Sequence, residues 1–246
     1  AGLSEPGRSR EGHHPPPAHP HRRDGDIFGP DFEKNRQNLK EPGDYVALYG
    51  HRGLKFTPGE RFEYSNYGFI LAGVLIEKVS GMSYYDYVRK HIFEPAGMTD
   101  TGSLSEEESV EKRSSGYTTF GGGSLRNNAD TLPYRGTSAG GGYSTVGDLF
   151  RFARALQSHR LLNAEYTRLV TEGKVTAMGR WKYAYGFMEE TGEGIRTIGH
   201  GGGAPGMNGE LKIQPGTGYV FVALANIDPP AVDRLWDYIA PRLPAR

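Results

Sequence analysis

The sequence of 246 residues contains no cysteine. This absence excludes disulfide bonds, thiolate metal ligands and a cysteine nucleophile. It does not fix the cellular compartment, because a protein without cysteine suits the cytoplasm and the periplasm equally. We therefore expect a soluble protein whose localisation the sequence leaves open between those two compartments.

An excess of charge and long apolar runs are also missing. The 29 lysine and arginine residues equal the 29 aspartate and glutamate residues, so no net charge attracts the chain to nucleic acid or to an anionic membrane. No apolar run approaches the length needed to cross a bilayer. We expect neither nucleic acid nor a membrane among its partners.

Residues 1–26 differ from the rest, since they hold four of the eight histidines, five of the sixteen prolines and almost no residues able to form a core. Six potential metal ligands lie within fourteen residues: His13, His14, His19, His21, Asp24 and Asp26. Imidazole and carboxylate groups suit Zn²⁺ and similar ions. The pattern predicts a divalent metal site, most naturally for zinc; the alternative is a polar strip without bound metal. We take residues 1–26 as one segment and 27–246 as a globular domain.

The globular part has the pattern of a mixed α/β (α+β) protein. Apolar periodicity and turn residues predict an antiparallel sheet flanked by helices. The predicted helices are Phe32–Tyr49, Tyr67–Val79, Tyr84–Ile92, Thr145–Leu156 and Ala231–Leu243, and the predicted strands are Tyr185–Glu189, Arg196–His200, Gly209–Gln214 and Tyr219–Ala225. Trp181 and Trp236 are predicted to pack in the core or in an interface rather than to bind a ligand.

Three separated blocks carry a resemblance to a known family: residues 58–101, with Tyr64-Ser65-Asn66, residues 138–156, and residues 199–228, with His200-Gly201-Gly202. Together they resemble the serine β-lactamase-like superfamily, which includes class C β-lactamases, D-Ala-D-Ala carboxypeptidases and family VIII esterases. The resemblance implies a β-lactamase/transpeptidase-like fold.

The same resemblance implies a set of site residues. Tyr64 and Asn66 stand where the family has its Y-x-N motif, and His200 begins the third motif. The Gly203 N–H stands where the family has one donor of its oxyanion hole. We therefore expect Tyr64, Asn66, His200 and Gly203 to form the catalytic cleft.

The family's S-x-x-K nucleophile motif is not found before Tyr64. The sequence Ser109-Val110-Glu111-Lys112 matches the pattern, but it follows Tyr64 and lies in a charged loop. Gly136-Thr137-Ser138-Ala139-Gly140 matches G-x-S-x-G without the strand and helix which that motif requires. We expect the domain to lack the nucleophile helix and the first strands of the family's sheet.

The unusual N-terminal segment has a possible origin in the genetic code. Residues 7–24 can be encoded by a nucleotide sequence that, read in a frame shifted by one base, gives a different peptide. That second peptide resembles the segment that precedes Gly25-Asp26-Ile27-Phe28-Gly29-Pro30 in the family. The hypothesis is an out-of-frame translation that returns to frame near Gly25.

These observations lead to one functional expectation and two alternatives. We expect a hydrolase of activated esters, carboxylic or phosphoric and including triesters, that uses a metal-activated water. One alternative is a serine esterase or β-lactamase-like acyl-transfer enzyme using Ser65, Ser138 or another hydroxyl. The other is a non-catalytic fragment that folds by oligomerising. Because the missing strands would leave an unpaired sheet edge, we also expect a homo-oligomer.

Overall fold

The computed structural model describes residues 26–244 of the chain. Its α-helices are α1 (Pro30–Asn35), α2 (Pro42–Tyr49), α3 (Asn66–Ser80), α4 (Tyr84–Val88), α5 (Glu94–Ala96), α6 (Val146–Gln157), α7 (Ala164–Thr171) and α8 (Ala231–Ile239). Short 3₁₀ turns occur at Ala129–Thr131 and Ala240–Arg242. The helix predicted over Phe32–Tyr49 is two helices, because the chain turns before Pro42, which occupies the first turn of α2.

Local signals set the ends of the two longest helices. The Ser65 hydroxyl accepts a hydrogen bond from the Gly68 N–H at the start of α3, and Gly81 ends that helix in the left-handed conformation at φ 69°. The Thr145 hydroxyl caps α6 in the same way, by accepting from the Asp148 N–H. Both helices therefore lie close to where the sequence predicted them.

The helix predicted over Tyr84–Ile92 changes its winding partway. The α-helical turns of α4 end at Val88, and Arg89–Phe93 forms a π-helical turn that leads into α5. Pro95, in the first turn of α5, has no N–H to donate to an α-helical hydrogen bond. The wider turn carries the chain past this missing donor.

The main sheet is antiparallel and has the spatial order β3-β4-β5-β6-β7-β8. Its strands are Val175–Met178, Trp181–Tyr183, Met188–Gly192, Ile195–Ala204, Met207–Gln214 and Tyr219–Ala225, in that order, while β1 (Tyr117–Thr118) and β2 (Arg126–Asn127) form a separate ribbon. The prediction missed β3 and β4. It was also wrong at Tyr185, which lies in a tight turn: Gly186 has φ 86°, and the Ala184 N–H donates to the Phe187 carbonyl.

Helices pack on the sheet from both sides. Ala153 and Leu156 of α6 form a buried cluster with Ile198, Leu211 and Ile213 of β6 and β7. On α8, Trp236 lies 5.1 Å from the Phe221 ring of β8, measured between ring centroids. The sheet is thus the middle layer of three, and the predicted burial of Trp181 and Trp236 is confirmed, with exposed fractions of 4% and 8%.

A buried ion pair lies between β7 and α8. The Lys212 ammonium is 2.8 Å from a Glu210 carboxylate oxygen, and both side chains are almost fully buried. Lys212 also stands 4.6 Å from the centroid of the Trp181 ring and 5.8 Å from that of Trp236. Two aromatic faces and one carboxylate therefore stabilise a charge that water does not reach.

The strand β8 occupies one end of the sheet. Among residues 26–244, β7 is the only strand that pairs along it. Its sequence is Tyr-Val-Phe-Val-Ala-Leu-Ala, and Leu224 is 45% exposed. An apolar edge strand of seven residues can accept a further strand.

No helix within residues 26–244 is both long enough and apolar enough to cross a membrane.

Replacing Lys212 with Met should lower the free energy of unfolding by about 3 kcal/mol, because the Glu210 carboxylate would stay buried without the ammonium beside it. Urea denaturation followed by circular dichroism measures this change. Lys112→Met is the matched control, since Lys112 pairs only with the neighbouring Glu111 and its side chain is 86% exposed. We expect the control to change stability by no more than about 0.5 kcal/mol. Equal losses in the two variants would contradict this role.

Candidate active site

A wide cleft separates the start of α3 from residues 200–204 of β6, the part of this strand that pairs with β7 but not with β5. Four of its lining residues were predicted as site residues: Tyr64, Asn66, His200 and Gly203. The structure thus brings these four together across one cleft, although nearly 140 residues separate the two motifs in the chain.

Tyr64 lies in an aromatic cluster at the floor of the cleft. Its ring centroid is 5.9 Å from that of Tyr183 and 6.0 Å from that of His200. Phe62 stacks on Tyr183 at 5.2 Å, and Phe69 of α3 approaches Tyr64 at 5.7 Å. The rings fix the position of the Tyr64 phenol between the helix and the sheet.

The carboxylate of Asp26 binds the first turn of α3. It accepts hydrogen bonds from the backbone N–H groups of Asn66 and Tyr67, both at 2.9 Å, and from the Asn66 side-chain amide at 2.7 Å. The Ser65 hydroxyl is a further donor at 3.5 Å. Orphan N–H groups and the positive end of the helix dipole make this a favourable place for a carboxylate. Asp26 therefore orients Asn66 at the rim of the cleft.

Both ring nitrogens of His200 have partners. Nδ1 lies 2.6 Å from the Gly201 carbonyl oxygen, which can only accept, so Nδ1 carries the proton. Nε2, 3.0 Å from the Tyr183 hydroxyl, then accepts a hydrogen bond from it. A short chain results, in which Tyr183 donates to His200 and His200 donates to the backbone.

Burial governs the titration of these rings. Burial lowers the pKa of His200, and the Lys212 ammonium lowers it further. Burial also raises the pKa of the Tyr64 hydroxyl, and the Asp26 carboxylate adds to that rise. For Tyr183, burial and the neighbouring Tyr64 raise the pKa. At neutral pH the cleft therefore contains a neutral imidazole and protonated phenols.

Close contacts leave little room for a side chain at Gly201, in the third motif, and at Gly203, directly after it. A Cβ atom at Gly201 would stand 2.3 Å from a Glu210 carboxylate oxygen. A Cβ atom at Gly203 would stand 2.2 Å from Cγ of Pro229. Side chains at these positions would have to displace the Glu210 carboxylate or the Pro229 ring, so the glycines preserve the packing behind the wall of the cleft.

Tyr183 was missed by the sequence analysis. The available signal was the alternation of Trp181, Tyr183, Tyr185 and Phe187, a spacing typical of one strand face. The alternation alone does not indicate a hydrogen-bond partner for Tyr183. The hydrogen bond to His200 depends on how β4 pairs with β5 and how β5 pairs with β6.

Of the six predicted metal ligands, only Asp26 belongs to the described residues. His13, His14, His19, His21 and Asp24 lie outside them. Within residues 26–244, no group of three or more histidine, aspartate or glutamate side chains is arranged to hold a metal ion. Asp26 itself is engaged at the start of α3.

The candidate serines have no lysine, histidine or tyrosine side chain beside them that could activate the hydroxyl. The Ser65 hydroxyl is part of the α3 cap, as described above. The Ser138 hydroxyl is buried, and a Cβ atom at Gly73 of α3 would stand 2.3 Å from it. Ser109 is exposed in its loop, and the Lys112 side chain points into solvent. Among the described residues, no serine hydroxyl forms a hydrogen bond with a lysine, histidine or tyrosine side chain.

Replacing Asp26 with Ala should destabilise the fold by about 2 kcal/mol, because the first N–H groups of α3 would lose an acceptor. Thermal unfolding measures the loss. Asp31→Ala is the control, since Asp31 is exposed and makes only a 3.5 Å ion pair with Arg52. An Asp26→Ala variant as stable as the control would show that the cap contributes little.

Solved structures with this fold include three of related proteins. A penicillin-binding protein from Bacillus halodurans has a TM-score of 0.81 and 32% identity, covering 87% of this chain and 69% of its own. A D-stereospecific amidohydrolase from Streptomyces sp. has a TM-score of 0.71 and 28% identity, covering 82% and 61%. An octameric penicillin-binding protein homologue from Pyrococcus abyssi has a TM-score of 0.69 and 28% identity, covering 82% and 48%.

Sequence comparison gives the same relationship. The mouse serine beta-lactamase-like protein LACTB, mitochondrial, is 35% identical over 134 residues, which cover 51% of this chain and 23% of that protein. This chain spans less than half the length of such curated relatives. The model of the beta-lactamase family matches residues 19–243. The predicted mixed α/β fold is confirmed, and the chain belongs to the β-lactamase family.

Proposed function

We propose that this chain is a hydrolase of activated carboxylic or phosphoric esters, including triesters, and that it uses a water molecule activated by a divalent metal ion. The family relationship supports hydrolysis. One observation favours water over a serine as the nucleophile. Within residues 26–244, no serine hydroxyl forms a hydrogen bond with a lysine, histidine or tyrosine side chain, the usual bases of a nucleophilic serine. The carboxylates that contact Ser65, Ser83 and Ser105 belong to helix caps and a local turn.

The residues of the cleft are suited to polarise a substrate. Tyr64 keeps its proton at neutral pH because its pKa is raised, so it can donate a hydrogen bond to the ester oxygen on which negative charge develops. The Gly203 N–H is the proposed second donor. Asn66, fixed by Asp26, would orient the substrate at the opposite rim.

In this proposal His200 lines the wall of the cleft and takes part in proton transfer. Its Nε2 is occupied by Tyr183, and its lowered pKa keeps it uncharged near neutral pH. A neutral imidazole can accept the Tyr183 proton through Nε2 while the Tyr183 oxygen takes one proton from the attacking water. We therefore assign His200 and Tyr183 to proton transfer.

The proposed metal ligands are His13, His14, His19, His21, Asp24 and Asp26. The donor set fits zinc, since imidazole nitrogen and carboxylate oxygen are its usual ligands after thiolate. Asp26 lies at the rim of the cleft beside Asn66, and the other five precede it directly in the chain. When bound, such an ion supplies a water molecule acidic enough to attack near neutral pH.

A serine acyl-transfer enzyme is the second candidate, favoured by the family to which the chain belongs. It would need Ser65 to leave the α3 cap or Ser138 to leave its buried position against Gly73. Each movement would sacrifice packing or hydrogen bonds of the fold. The third candidate, a non-catalytic fragment, predicts no turnover above background.

Removing the metal should abolish activity. We expect treatment with a chelator to lower kcat/KM for a nitrophenyl ester or a nitrophenyl phosphotriester by about tenfold or more, and Zn²⁺ or Mn²⁺ to restore it. Stopped-flow release of nitrophenol measures the rate, and elemental analysis measures bound metal.

The matched variants are a combined His13, His14, His19 and His21 to Ala replacement and the single His51→Ala control. His51 is exposed and has no partner among the described residues. The fourfold variant should lose both metal and activity, and the control should keep both. Activity that is indifferent to chelator, metal and the four histidines would refute the metal proposal.

We further propose that the working form is a homo-oligomer in which a second copy of this chain covers the edge of β8 along which no strand of residues 26–244 pairs. The apolar edge strand supports this, and an octameric structure is known for the Pyrococcus abyssi homologue. Multi-angle light scattering should give a dimer or larger species at micromolar concentration. A monomer at that concentration would contradict the proposal.

A further inference from the structure

A second, smaller cavity opens beside His200. It has a volume of about 340 Å³ and lies between the π-helical turn Arg89–Phe93, the segment after α5, helix α6 and strands β6, β7 and β8. Its walls are almost entirely apolar and include Ile92, Phe93, Met98, Leu149, Phe152 and Leu211. We call this cavity the apolar crevice.

The apolar crevice borders the catalytic cleft. His200, Gly209, Glu210 and Leu224 line both spaces. Gly209 helps to keep the shared boundary open, because a Cβ atom there would stand 3.1 Å from Cδ2 of Leu224. A molecule whose reacting atom lies near His200 can therefore place one of its substituents in the crevice.

The size of the crevice limits its occupant. At 340 Å³ it lies at the lower end of the range of about 300–1,000 Å³ for small-molecule pockets. Apolar cavities of about 150 Å³ already bind benzene. A helix, about 10 Å across, does not fit. The crevice is therefore large enough for one aryl ring with a small substituent or for a branched alkyl group.

We infer that the apolar crevice is a substrate subsite that binds an aryl or branched alkyl substituent of the ester. This inference rests on the proposed function for the identity of the ester, whereas binding of the apolar group depends on the crevice alone. Contact with the apolar walls favours transfer of the group from solvent. Esters with such a substituent should be preferred to acetates.

Methyl NMR tests the binding without catalysis. The full chain, labelled at isoleucine, leucine and methionine methyl groups, is titrated with toluene. We expect saturable shifts at Ile92, Met98 and Leu149. Leu149→Trp, which fills the crevice, should abolish them, and Gly209→Ala, which narrows its mouth, should weaken them. Leu169→Trp on α7, outside the crevice and 41% exposed, is the control that should retain them.

Kinetics tests the specificity. The ratio of kcat/KM for nitrophenyl 3-methylbutyrate to that for nitrophenyl acetate should fall by about tenfold in Leu149→Trp and stay constant in Leu169→Trp. Toluene shifts at the crevice without any ester turnover would support the crevice and overturn the proposed function. Ester turnover with no toluene shifts at Ile92, Met98 and Leu149 in the parent chain would overturn the crevice.

Discussion

The carboxylate of Asp26 holds the start of α3, and the geometry of the cleft depends on that contact. Two backbone N–H groups and the Asn66 amide converge on it, at the helix end where partial positive charge collects. Tyr64 lies two residues before α3, and Asn66 is the first residue of the helix. The hydrogen bonds to Asp26 therefore fix one wall of the cleft. The other wall is the 200–204 part of β6, which the pairing with β7 holds in place. A position 40 residues upstream therefore determines where the Y-x-N motif stands relative to His200.

Burial sets the protonation states of the titratable side chains in this cleft. A lowered pKa keeps His200 neutral, and raised pKa values keep Tyr64 and Tyr183 protonated. The two phenols can donate hydrogen bonds to an oxygen that gains negative charge, but neither of them is a nucleophile at neutral pH. The cleft, as the described residues form it, is suited to bind and polarise an ester. The nucleophile has to be supplied to it, and this is why the proposal places a metal-activated water there.

Local signals in the sequence predicted much of the fold. Apolar patterns in the sequence predicted α3, α6 and β8, and in the structure caps at Ser65 and Thr145 set where the two helices begin. The cleft residues of the two motifs followed from the family resemblance. Contacts between distant parts of the chain could not be predicted in this way. The Tyr183–His200 hydrogen bond depends on how the strands pair in the sheet. The Lys212–Glu210 ion pair is buried because α8 covers it. Asp26 was predicted as a metal ligand from its neighbours in the chain, whereas its structural partners lie 40 residues away.

The most direct measurement is the mass of the protein during its first turnover. Enzyme is mixed with an equimolar nitrophenyl ester, quenched with acid within milliseconds and examined by intact mass spectrometry. If water attacks the substrate directly, the protein mass stays unchanged while nitrophenol is released. A transient increase by the mass of the acyl or phosphoryl group, localised to a serine, would contradict the account.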